Sequence, residues 1–217
     1  MKQRFILHIS AVVLFFFSLD SCSLHDKKWM IREGDLLFQD LDCGPLCDAI
    51  EAVTVGAKGN KYSHCALAIG KNDSLKVIEA IGSAVTVTDL NAFLGRCTLT
   101  SVGRLKGKNR KLVTKAIAFS WNQIGTPYDD VFEMNNGRYY CSELIYDAFA
   151  YANSNKPFFV LEPMTFNDPV DRKPFPAWQT YFKDLKVPIP ERHLGINPGL
   201  ISRSKHIRLL RSRGRDQ

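Results

Sequence analysis

The chain has 217 residues, carries 29 Lys and Arg against 22 Asp and Glu for a formal charge of +7, and is 45% hydrophobic, 11% aromatic and 24% charged. These are the proportions of a soluble globular domain, and they exclude a disordered chain, a fibrous repeat and a polytopic membrane protein. The length suits one domain able to bury a sizeable core, with at most an elaboration.

Residues 1–21 read as a targeting segment. Lys2 and Arg4 precede an apolar run from Phe5 to Leu19, short for a membrane span and suited to a secretory signal. The run ends Leu19-Asp20-Ser21-Cys22, which resembles the lipobox of bacterial lipoproteins, with Asp20 where that motif has a small uncharged residue. The resemblance implies that Cys22 becomes the lipidated first residue of the mature chain; an ordinary cleaved signal is the alternative. Either way the protein is expected outside the cytoplasm, at the bacterial cell envelope, and with the lipid it is anchored to a membrane.

Residues 22–33 form a polar tether, and the domain proper spans 34–217. Gly34-Asp35-Leu36-Leu37-Phe38 reads as a turn into a buried strand, and 46–54 as a short helix. Runs 62–70 and 76–82 are strand-like and joined by Lys71-Asn72-Asp73-Ser74, a good turn sequence. Further strands are expected over 85–88 and 97–105. A helix is expected over 111–124, with Leu112, Ala116 and Phe119 along one side, and a second from about Cys141 to Ala152. A short helix near 177–185 and a strand near 206–210 follow. The result is an α+β domain with an antiparallel sheet.

From Ile201 onward Arg203, Lys205, Arg208, Arg211, Arg213 and Arg215 crowd together with no aromatic residue among them. This reads as a solvated basic tail, with no nucleic-acid partner expected of an exported protein. Five cysteines remain beside Cys22: Cys43, Cys47, Cys65, Cys97 and Cys141. An odd number leaves at least one thiol unpaired in an oxidising compartment. Cys43 and Cys47 flank Gly-Pro-Leu, but no second pair at zinc-finger spacing follows, so no metal is expected. Buried or loosely paired thiols are the expectation there.

Leu144, Ile145, Ala148 and Phe149 follow Cys141 by three, four, seven and eight residues. That spacing sets Cys141 above a buried stripe, at the first turn of its helix. Unpaired N–H groups and the positive end of the helix dipole favour thiolate there. A thiolate nucleophile needs a proton-handling partner, usually His. In Tyr62-Ser63-His64-Cys65-Ala66-Leu67-Ala68-Ile69, alternation sets His64 on a small-sided face with Ala66 and Ala68. That face leaves room for a helix end or a substrate to approach the imidazole. Pairing through the 71–74 turn places Glu79 diagonally beside His64 on the same face, roughly 7–8 Å away between backbones. A carboxylate in that place can fix the tautomer and orientation of the ring.

These segments resemble a known family. Gly34-Asp35-Leu36-Leu37-Phe38, Tyr62-Ser63-His64, Val77-Ile78-Glu79-Ala80, Gly125-Thr126-Pro127-Tyr128-Asp129 and Tyr140-Cys141-Ser142-Glu143 occur in the order of the YiiX/YaeF-like permuted papain-like amidases, within the NlpC-type cysteine peptidases. The resemblance spans about residues 34–150 and weakens beyond Pro157. It implies a circularly permuted papain-like fold with His before Cys, a helix headed by Cys141 packed on the sheet that bears His64, and a site of Cys141 as nucleophile, His64 as base and Glu79 as third polar residue. Tyr62 is a candidate donor to the oxyanion or substrate, although a packing tyrosine is the plainer role. Asp129 is expected to fix the turn before the nucleophile helix.

The expected activity is hydrolysis of an amide in a cell-wall peptide or amino-acid amide, with no cofactor. Two alternatives stand beside it. One is acyl transfer or phospholipase chemistry of the lecithin:retinol-acyltransferase-like type, whose Asn-Cys-Glu-His pattern this chain replaces with Tyr-Cys-Ser-Glu. The other is a non-catalytic envelope binding module.

Overall fold

Alternating apolar runs become six strands of one antiparallel sheet in the computed structural model, which describes residues 31–213 apart from 72, 73 and 98. The signal, Cys22 and most of the tether therefore lie outside the described residues.

In chain order, β1 (Leu36–Asp40) leads to α1 (Pro45–Val53), then β2 (His64–Ile69), β3 (Lys76–Ile81) and β4 (Ala84–Asp89). The single-turn α2 (Leu90–Leu94) precedes β5 (Leu99–Leu105), followed by α3 (Val113–Asn122) and α4 (Cys141–Ala152). The C-terminal third adds β6 (Glu162–Pro163), α5 (Pro176–Leu185), β7 (Leu194–Gly195), α6 (Pro198–Arg203) and β8 (Ile207–Arg213). The large sheet has the order β4-β3-β2-β1-β5-β8, and β6 pairs with β7 apart from it.

β2 and β3 pair as Leu67↔Ile78, Ala68↔Val77 and Ile69↔Lys76, the register expected from the 71–74 turn. Before β1, Gly34 takes φ 82°, and a Cβ there would meet the Val113 side chain at 2.3 Å, so the turn requires glycine. Asp35 beside it is buried and holds Arg104 through Nε and Nη2, both at 2.7 Å, tying the turn to β5.

The sheet is covered on both faces. Leu36, Phe38, Cys65, Leu67 and Ile78 pack with Leu144, Ile145, Ala148 and Phe149 of α4, and α3 lies against α4. Leu37, Ala66, Ala68, Val77 and Val102 pack with Leu90, Phe93 and Leu94 of α2. A third cluster joins Ala49 of α1 to Phe166, Trp178 and Phe182. It seats the C-terminal third beside the start of α4.

Three expectations are corrected. The helix expected over 111–124 opens as a 3-10 turn over Gly107–Leu112 and is α-helical only from Val113 to Asn122. α2 was not foreseen; it is one turn long, capped by Asp89, whose carboxylate accepts from Asn91 and Ala92 N–H, and so short a turn leaves no periodicity. The basic segment from Ile201 is ordered through Arg213: α6, which was not expected, buries Ile201, and β8, the strand expected near 206–210, anchors through Ile207 and pairs with β5. Apolar anchors between the charges provide this, and charged side chains are a common guard on an edge strand.

Candidate active site

The loop before α4 is held from inside. Asp129 is fully buried and its carboxylate accepts from Val131 N–H (3.0 Å) and Glu133 N–H (2.8 Å), while Tyr128 bridges to Tyr139. This is the turn-fixing role expected of Asp129. Tyr140 is the extended N-cap of α4. Glu143, in the first turn, accepts from Asn135 N–H at 3.0 Å through Oε1, and its Oε2 is buried with no hydrogen-bond partner among the described residues. Burial pushes its carboxyl up to about 8.

Cys141 heads α4, 6% exposed. His64 begins β2, 4% exposed, and its Nε2 lies 2.6 Å from Glu79 Oε2, which leaves Nδ1 for the sulfur. Glu79 is fully buried in β3, and its Oε1 accepts from Thr88 Oγ1 and Arg96 Nη2, each at 2.5 Å. The Arg96 guanidinium lies 5.0 Å over the Phe93 ring, and that ring packs 6.2 Å from the imidazole, centroid to centroid.

The helix approaches from the side opposite to the one expected. α4 packs against the Cys65 and Leu67 face, whereas His64 shares its face with Ala66, Ala68, Glu79 and Phe93. Contact is made around the end of the strand. The β2–β3 ladder runs only over Leu67–Ile69, and beyond its end Cys65 and Cys141 interact. Sulfur and imidazole interact there. The sequence predicted Cys141, His64 and Glu79 as a group, and the structure brings the three together.

The electrostatics favour an ion pair. Interaction with Cys65, and then with His64, holds the Cys141 thiol well below its ordinary range despite burial. Burial alone would lower His64, but the sulfur and Glu79 outweigh it and raise the imidazole to about 9. Burial would raise Glu79; His64, Thr88 and Arg96 hold it below the usual carboxylate range. Burial pushes the Cys65 thiol up, so Cys65 stays a neutral donor beside a thiolate.

Sequence reasoning missed Cys65, Thr88 and Arg96. The first two were legible in principle: Cys65 follows His64, and Thr88 faces the same side of the β3–β4 ladder as Glu79. Tyr62 does not take the suggested role. Its buried hydroxyl donates to Ser101 Oγ (2.8 Å) and accepts from Asn60 Nδ2 (2.9 Å), and its ring packs on Phe38. Cys43 and Cys47 form a disulfide, whereas Cys65, Cys97 and Cys141 remain thiols. Among the described residues no group of three or more His, Cys, Asp or Glu could hold a metal ion.

A helix-tip cysteine facing a strand histidine that is held by a neighbouring carboxylate defines the papain-like class, here with histidine before cysteine in the chain. The family model of the permuted papain-like amidase enzymes, YaeF/YiiX, matches residues 30–210, and the chain belongs to that family. Among solved structures, a crystal structure described as that of the metalloprotein YiiX from Escherichia coli O157:H7 superposes with a TM-score of 0.69 at 21% identity, covering 84% of this chain and 98% of that one. The two share the fold. No curated protein matches the chain.

Proposed function

We propose that the protein is a thiol-dependent amidase of the bacterial cell envelope, exported and anchored through a lipid on Cys22. The observation that carries the chemistry is the Cys141–His64–Glu79 arrangement, with the imidazole clamped 2.6 Å from a buried carboxylate. The Cys141 thiolate attacks the amide carbonyl, and the oxyanion is met by N–H groups of the first turn of α4 that have no intrahelical partner. The C–N bond breaks as His64 gives its proton to the leaving amine. Water then attacks the thioester, its proton returns to His64, and the carboxylic acid leaves as the thiolate is restored. Glu79 stabilises the imidazolium and remains ionised throughout.

Export is supported by the residue 1–22 pattern and by the Cys43–Cys47 disulfide, a bond at home in an oxidising compartment. The similar structure is titled a metalloprotein; with no cluster of metal-ligating side chains among the described residues, no step here passes through a metal.

The test is incubation with a library of peptidoglycan fragments and N-acyl amides, read by mass spectrometry beside Cys141→Ala. Products that appear with the wild type alone support the reading. Equal products from both proteins overturn the assignment of the nucleophile.

A further inference from the structure

A cavity of about 70 Å³, open on one side, lies against the nucleophile, enough for a short apolar group at the sulfur. Cys141 forms part of its wall, and Phe132, Met164, Phe166, Trp178 and Ile196 supply much of the rest. Among the described residues no Asp, Glu, Lys, Arg or His borders it. Five of the polar side chains that do are engaged within the protein, whereas Trp178 Nε1 is buried with no hydrogen-bond partner among the described residues. Thr54 Oγ1 donates to Tyr62 O, Ser63 Oγ to Glu51, Ser142 Oγ to Ile196 O and Tyr140 OH to Met134 Sδ. Asn197 Oδ1 accepts from Leu200 N–H, capping α6. A charged group placed here would lose its water and gain no counter-charge, a costly exchange, whereas an apolar group would gain by leaving water.

Which part of a substrate occupies the cavity follows from the order of bond breaking. The amine departs in the first half-reaction, while the acyl group stays bonded to sulfur until water arrives. A pocket that has the sulfur in its wall is placed to hold the group attached to that sulfur. Resting on the amidase reading above, we propose that this cavity is an acyl pocket, and that the substrate is an N-acyl amide whose acyl group is uncharged and apolar. The C-terminal third, where resemblance by sequence motifs fades, thereby sets specificity: Met164, Phe166, Trp178 and Ile196 all come from it.

The experiment measures kcat/KM of the full chain on p-nitroanilides from acetyl through hexanoyl to decanoyl, on phenylacetyl, and on the charged succinyl and γ-glutamyl derivatives. Second and third arms vary the amine at constant acyl group and offer phospholipid vesicles with the same acyl chains. The expected result is a rise of about fourfold per added methylene until the cavity is full, with the charged acyl groups at least a hundredfold poorer than hexanoyl. Met164→Glu should flatten the decanoyl-to-acetyl ratio and Met164→Leu should keep it; a ratio is insensitive to partial loss of folded protein. Preference for succinyl or γ-glutamyl, or chain-length dependence that follows the amine, overturns the proposal. Faster cleavage of the phospholipid ester than of the N-acyl amide overturns its choice of an amide. If no amide is turned over, the amidase reading fails by itself. The pocket is then read separately, by tryptophan fluorescence of Cys141→Ala titrated with decanamide and succinamic acid: tighter decanamide binding supports an apolar pocket, and equal or reversed binding overturns it.

Discussion

Replacing Glu79 by Gln removes one charge and almost no volume. The carboxylate is fully buried and serves three donors: His64 at 2.6 Å, and Thr88 and Arg96 at 2.5 Å. A hydrogen bond to a charged group contributes about 1.5–3 kcal/mol, and one pKa unit is about 1.36 kcal/mol. Loss of the charge beside His64 should therefore lower the imidazole, now at about 9, by roughly one to two units. The range of pH in which the ion pair exists should therefore narrow from its upper end, where the imidazolium is lost. Folding stability should fall by only about 2 kcal/mol, below the 3–5 kcal/mol typical of a broken buried pair, because the Arg96 side chain is 29% exposed and can turn to water. The assay is the rate of iodoacetamide alkylation of Cys141 against pH, which needs no substrate. Its upper inflection, where the imidazolium beside the thiolate is lost, should move downward from about 9 by roughly one to two units. An unmoved inflection in a folded Glu79→Gln protein would refute the coupling of Glu79 to His64.

Hydrolysis in the wild type should decline as pH rises through about 9, because the His64 imidazolium that protonates the leaving amine is lost there; a flat rate to well above that value would deny His64 the role of proton donor. Cys65→Ala should raise the Cys141 thiol, since interaction with Cys65 is the largest cause of its lowering, and thiolate ultraviolet absorbance against pH measures the shift. Glu143, held up to about 8 by burial, titrates in a direction that costs stability. The unfolded chain releases this proton near the ordinary value of 4.5 and the folded chain keeps it until about 8, so stability should decline as pH rises between those limits. Glu143→Gln keeps the acceptor for Asn135 N–H and should gain over the wild type by roughly 4 kcal/mol at pH 8 and little at pH 5, as read by urea unfolding at the two values; equal gains at both would show that Glu143 is already ionised in the fold.

How far the sequence reached depended on the range of each interaction. The start of α4 at Cys141 was legible because the stripe at Leu144, Ile145, Ala148 and Phe149 is set within one helix. The β2–β3 register was legible because a four-residue turn fixes it, and it brought Glu79 to His64 without any knowledge of the rest of the chain. The side from which α4 would approach was not legible: both faces of β2 carry apolar side chains, Ala66 and Ala68 on one and Cys65, Leu67 and Ile69 on the other. Nor was α6, too short at Pro198–Arg203 to show a helical period, although the strand that follows it near 206–210 was. Arg96 stood outside every motif because it reaches Glu79 from the turn after α2, an element too short to leave a pattern.

The crossing of Cys141 around the end of β2 divides the site into two environments. Glu79 and Arg96, with the imidazole between Phe93 and the sulfur, occupy the face covered by α2. The uncharged cavity lies beyond the sulfur, walled by α4 and the C-terminal third. A buried ion network is costly without complete pairing, and an acyl pocket is selective only if free of charge. Sharing one sulfur between the two faces meets both demands. It also means that electrostatic and specificity effects should separate: Glu79→Gln should move pH limbs without changing the order of acyl preference, and Met164→Glu should change that order without moving the limbs. A Met164→Glu protein whose alkylation limb shifts as far as that of Glu79→Gln would show that the two faces are one electrostatic unit after all.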